Sequence, residues 1–163
     1  MQFNNRYYPA SIGIACNQLK CNHEKIYKII DKQLSTINYN FKKRFQRWLL
    51  ELTLSEKLPE TISALNFALF KIDYNEYAVY MIASNKFSSK NSDWARDEDY
   101  EPKLKYFSVK QKSISKLDNA QFMNLIVKTL KKELSSKKLK NTFFDKIKHI
   151  TTGFDGGDLI TIK

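Results

Sequence analysis

Glycine, cysteine and histidine are scarce in this chain, with four, two and two residues among 163. Three of the glycines, Gly153, Gly156 and Gly157, crowd into the stretch Thr151–Asp158. No P-loop, dinucleotide fingerprint or G-x-S-x-G elbow occurs anywhere along the chain. Cys16 and Cys21, with His23 nearby, lack both the CxxC spacing and the fourth ligand of a zinc site, and read as free, reduced thiols. His23 and His149 stand in no metal or triad motif. No apolar run approaches the ~20 residues of a membrane span, and the run Ala10–Cys16 is too short and interrupted for a secretory signal. These absences predict a soluble, cytoplasmic protein with no membrane contact, no cofactor, no metal and no catalytic residue. Internal repeats and low-complexity linkers are also missing. One domain over 1–163 is therefore expected, with a helical part at about 1–58 and the remaining elements at about 62–163.

Charge and aromatic content are what the chain has in abundance. A hydrophobic share of 42% and an aromatic share of 13% place it among folded globular proteins. Its 28 basic and 17 acidic residues leave a net charge of +11. Such an excess favours polyanions or an acidic partner, although the abundance of Lys, Asn and Ile in AT-rich bacterial genomes accounts for the same bias.

Hydrophobic spacing gives the order of elements. Asn22 can cap a helix on which Ile26, Ile29, Ile30 and Leu34 recur. Phe41, Phe45, Trp48, Leu49 and Leu52 form a second helical stripe, with Lys42, Lys43, Arg44 and Arg47 on its other face, and Pro59 closes the region. Ile62–Ile72 is almost continuously apolar, interrupted mainly by Asn66 and Lys71. Tyr77–Ala83 repeats that character after the turn Asp73–Glu76, which predicts a buried hairpin. A polar loop, Ser84–Pro102, leads to a short strand at Tyr106–Val109. A helix capped by Asp118 or Asn119 follows, with Phe122, Leu125, Ile126, Thr129, Leu130 and Leu134 inward. Phe143, Phe144, Ile147 and Ile150 suggest another short helix, and the glycine cluster reads as a tight turn that feeds a terminal strand, Leu159–Ile162. The fold class is α+β: N-terminal helices, a mainly antiparallel sheet, C-terminal helices and a final strand.

Two acidic segments stand out against the basic background. Asp93–Glu101 carries Asp93, Asp97, Glu98, Asp99 and Glu101 together with Trp94 and Tyr100. It reads as a face for a basic protein partner anchored by its aromatics. The competing reading is a solvated loop whose Trp94 plugs the edge of the core. Asp155 and Asp158 on the glycine turn form a second acidic pair, although an Asp in such a turn commonly bonds its own backbone. The segment does not read as a calcium loop, since the EF-hand alternation with its central glycine is absent. Lys42, Lys43, Arg44 and Arg47, with Lys131, Lys132, Lys137, Lys138 and Lys140, make a basic surface that could grip phosphates. No nucleic-acid motif accompanies them, and such lysines usually line a solvated helical face. A hydrolase built on metal-holding Asp93, Asp97, Asp99 and Asp158 ranks third.

The order of parts from Leu65 onward, Ala78–Ser84, then Asp93-Trp94-Ala95, then Gly153-Phe154-Asp155-Gly156-Gly157-Asp158-Leu159, resembles bacterial immunity proteins of polymorphic-toxin and contact-dependent growth inhibition systems. The likeness covers roughly the C-terminal 100 residues. The family pattern carries Asp where this chain has Gly156, so a two-carboxylate motif at the turn is incomplete here. The resemblance implies a non-enzymatic inhibitor that binds its cognate toxin domain and occludes it. The contact face would comprise Asp93, Trp94, Asp97, Glu98, Asp99, Tyr100, Asp155 and Asp158. Many such inhibitors are acidic because their nuclease targets are basic. In this basic chain, either the toxin is acidic or the local acidic loop alone makes the contact. The alternative is a basic nucleic-acid-associated binding protein.

Overall fold

A computed structural model describes residues 40–73, 76–109, 114 and 116–163. These belong to one unit, Asn40–Lys163. The helix expected around Ile26–Leu34, both cysteines and His23 lie outside the described residues.

Helix α1, residues 40–55, turns its apolar stripe inward as the i, i+4, i+7 spacing requires. Phe41, Phe45, Leu49 and Leu52 are fully buried and Trp48 nearly so. The Trp48 indole N–H donates to the carbonyl of Leu104 at 2.8 Å, so the ring is buried without stranding its polar atom. After the helix the chain turns at Pro59 and enters β1, Ala64–Asp73, which pairs antiparallel with β2, Glu76–Ser84. Strand β3, Tyr106–Val109, pairs antiparallel with β2. Helix α2, Asn119–Leu134, starts in a capping box: Asp118 accepts from the Gln121 amide, and the Gln121 side chain accepts from the Asp118 amide.

One short helical turn, α3, covers Phe143–Lys146, followed by β4, His149–Phe154, and β5, Ile160–Thr161. The helix expected to reach Ile150 is thus shorter. Ile147 lies past its end and Ile150 is in a strand, because the run His149–Phe154 fits β1 in parallel register, Ala64 opposite His149 through Leu69 opposite Phe154. Gly153, expected in the turn, belongs to that strand; the turn begins at Asp155. The sheet order is β3-β2-β1-β4-β5, and only the β1/β4 pairing is parallel. The architecture is α+β.

Alternation divides the sheet into two faces. Leu65, Phe67 and Leu69, with Tyr77, Val79, Met81 and Ala83, join the stripes of α1 and α2 in the main core. The opposite face carries Ala64, Asn66, Ala68 and Phe70 beside Ala78, Tyr80 and Ile82. One end of that face is covered by the loop after β2, through Trp94, Ala95 and Phe87 packed on Ala64 and Leu159.

Candidate partner-binding cleft

On the face away from the helices, one row of the sheet runs Tyr106, Tyr80, Ala68, Gly153. The last two have little or no side chain, so the surface dips beside the Tyr80 ring. Gly153 cannot be larger: a Cβ there would lie 2.7 Å from the carbonyl oxygen of Asp158 and 3.0 Å from the Leu159 side chain. The glycine lets the returning chain cross close above the strand. Gly156 makes that return possible with a φ of +73°, the left-handed region that side chains resist. The resulting cleft has a volume of about 270 Å³ and lies between the glycine turn and the loop after β2, with Asn66, Tyr80, Arg96, Glu98 and Asp155 among its walls.

The polar groups around it are specifically tied. The Tyr80 hydroxyl donates to Asp155 at 2.7 Å. Burial and then the neighbouring Asp155 carboxylate push this phenol well above its ordinary pKa. Buried Lys105 places its ammonium 2.7 Å from Glu98 and 3.1 Å from Glu101. The same ammonium sits 5.4 Å from the Tyr80 ring centre and 5.5 Å from that of Tyr106. Burial alone would lower the Lys105 pKa, but its two carboxylate partners outweigh it and the value rises. Phe70, Tyr80 and Tyr106 pack ring against ring at 5.7 to 6.3 Å, and Tyr106 is 59% exposed. Among the described residues this face therefore presents an aromatic patch beside carboxylates.

The eight residues singled out from the sequence divide by what they touch. Trp94 is buried against Phe87, ring centres 5.3 Å apart, and holds the loop on the sheet. Asp99 accepts from the Asn85 amide at 2.7 Å and from the Ser84 hydroxyl at 3.1 Å. Tyr100 donates to Glu56 at 2.7 Å, and Glu56 also accepts the Lys103 amide. Burial raises the Tyr100 phenol to about 12, with the Glu56 hydrogen bond adding to it. Asp97 approaches Lys86 at 3.8 Å in solvent, a pair of little worth. Glu98 and Asp155 border the cleft already described, whereas Asp93 and Asp158 line an adjoining groove together with Trp94 and Leu159. The two acidic segments, some 60 residues apart in sequence, are thus brought together. Among the described residues no group of three or more His, Cys, Asp or Glu is placed to hold a metal ion, and no helix among them is long and apolar enough to cross a membrane.

Four residues of the cleft region were not singled out by sequence: Tyr80, Tyr106, Lys105 and Arg96. Asn66 did leave a signal, as the polar interruption of an otherwise apolar strand. The basic residues singled out from the sequence lie on or next to the helices instead. There Gln46 of α1 donates to Glu133 and accepts from Lys138 at 2.8 Å, drawing the two basic segments together. Comparison with protein-family models, curated proteins and solved structures finds no match to this chain.

Proposed function

We propose that the protein is a non-catalytic binding protein, a toxin-neutralising immunity protein whose partner docks on the open sheet face. The carrying observation is that Glu98 and Asp155, from two separate loops, meet beside the Phe70, Tyr80 and Tyr106 rings, while Asp93 and Asp158 from the same two loops line the adjoining groove. Aromatic anchors rimmed by charge are the composition of a protein interface, where rings supply affinity and carboxylates steer a basic partner. On this reading an overall charge of +11 does not oppose a basic toxin. The contact is made by loops of locally acidic sequence, and the helices α1 and α2 with their cationic residues pack on the other face of the sheet.

Co-expression with the gene product encoded immediately upstream tests this reading. The expected result is growth inhibition by that product alone, rescue by this chain, and loss of rescue when Asp93 and Asp158 are both replaced by Lys. A harmless neighbour, or rescue untouched by the double replacement, overturns it.

The Gln46 bridge between Glu133 and Lys138 supports a second reading, nucleic-acid binding through Lys42, Arg47, Lys131 and Lys138. Its signature is binding to DNA or RNA that falls steeply with salt. No detectable binding at ~50 mM salt excludes it.

A further inference from the structure

The cleft sets hydrogen-bond donors on its floor against acceptors on its wall. Asn66, 3% exposed in the middle of β1, supplies the floor. Its amide oxygen accepts from the Thr151 hydroxyl at 3.0 Å. Its amino group makes no hydrogen bond among the described residues and is not sealed from solvent, which leaves two N–H donors for a guest. Asp155 supplies the wall: it accepts from Tyr80 through one oxygen and keeps the second free. Charge between them is close to balanced. The Lys105 ammonium lies 2.7 Å from Glu98, and exposed Arg96 on the rim opposes Asp155 in sign.

We infer that the cleft seats a neutral primary carboxamide, the side chain of a glutamine on the docked partner, between Asn66 and Asp155. This rests on the docking face proposed above. A carboxamide carries an acceptor oxygen and two N–H donors on one planar group. Its oxygen takes an Asn66 N–H, while its amino group donates to the free Asp155 oxygen. Other side chains of similar length complete only part of this pattern. A carboxylate has no donor for Asp155 and meets its negative charge. A guanidinium or ammonium has no acceptor for Asn66. An apolar chain would displace water from both groups and leave them unpaired, which is costly. At about 270 Å³ the space falls below the ~300–1,000 Å³ of small-molecule sites and suits one side chain. The two methylenes of glutamine carry its amide down to the buried floor.

The test is an NMR titration of the full chain with the N-acetyl, N-methylamide derivatives of glutamine, glutamate, norleucine and arginine, which differ in the side chain alone. The glutamine probe should shift the Asn66 side-chain NH₂ and the Gly153 and Gly156 amides with a Kd of roughly 10 mM, as one short polar side chain allows. The other three should bind about tenfold more weakly, the loss of one hydrogen bond that leaves its buried partner unmet. Asn66→Val removes the floor donors and should weaken glutamine binding about tenfold as well. Asp155→Asn removes the charge that repels glutamate and should bring glutamate level with glutamine. Glutamine binding no tighter than that of norleucine, glutamate or arginine overturns the inference, as does unchanged binding to Asn66→Val. Should Asn66→Val fail to fold, Asp155→Asn at the exposed turn still decides, since an unchanged preference for glutamine over glutamate overturns it. Glutamine binding without cellular rescue leaves this subsite standing while the docking function falls. Rescue without glutamine binding does the reverse.

Discussion

Tyr80 and Asp155 bond at 2.7 Å across an intervening strand. Tyr80 belongs to β2 and Asp155 follows β4, with β1 between them in the sheet. The bond spans that strand because the positions between are Ala68 and Gly153. It anchors the glycine turn to the middle of the sheet and aligns one wall of the cleft.

Replacing Tyr80 by Phe removes only that tie. The expected loss is about 0.5–1.5 kcal/mol, the net worth of one hydrogen bond. Urea denaturation should report it as a lower midpoint at an unchanged slope.

Gly153→Ala and Gly156→Ala should differ in size for different reasons. The Gly153 Cβ would press on the backbone oxygen of Asp158 at 2.7 Å, which only a shift of the return chain relieves, at about 1–3 kcal/mol. Gly156 has open space around it but a φ of +73°, a strain of about 1–2 kcal/mol for alanine. Thermal melts should place Gly153→Ala as the less stable protein.

Glu56 sets an acid limit on the fold. Burial raises its pKa, but hydrogen bonds from Tyr100, the backbone at Lys103 and Leu104, and Ser55 outweigh this and leave it below 4.5. The folded state therefore binds fewer protons than the unfolded chain just below that value. The contribution is complete above about pH 4.5 and is lost as pH falls through the lowered pKa. Glu56→Gln should destabilise at neutral pH by about 1–3 kcal/mol and flatten the acid limb of a plot of urea midpoint against pH. The alkaline limb has the opposite sign. Tyr100 is raised from 10.0 to about 12, so its contribution holds below pH 10 and fades as pH rises through 12.

Acidic residues of the loop should separate by role. Asp99→Asn disturbs bonds to Ser84 and Asn85 and should cost stability of about 1–3 kcal/mol. Asp93→Asn and Asp158→Asn are exposed changes and should leave stability within ~0.5 kcal/mol. With the partner present, their effect should appear as slower association and a shallower salt dependence. Stopped-flow binding and calorimetric melts on the same three variants distinguish the two classes.

Where local pattern and tertiary packing agree, the elements were legible. The α1 stripe, the hairpin flanking Asp73–Glu76, the four-residue β3 and the Asp118 cap each follow from spacing or capping chemistry within a few residues. Strand β4 was not legible. His149–Phe154 mixes a histidine, two threonines and a glycine, and it becomes a strand only because β1 offers a parallel edge and Gly153 yields to the chain above it. The two acidic segments were visible separately, and only the fold sets them side by side. The aromatic patch was hidden, since Phe70, Tyr80 and Tyr106 read as ordinary strand residues until the sheet shows which face lacks a helix among the described residues.

The parallel β1/β4 pairing has a consequence for synthesis. It joins positions 85 apart, as the bond from Thr151 to Asn66 illustrates. A nascent chain that has not passed His149 holds β1 with one edge unpaired, flanked by an apolar hairpin. Open edges of that kind invite association with other strands, and pairings so distant in sequence form late. A message truncated before β4 should therefore yield aggregated product instead of a partly folded, soluble one. Any activity of this chain that needs the complete sheet begins only once β4 has paired with β1.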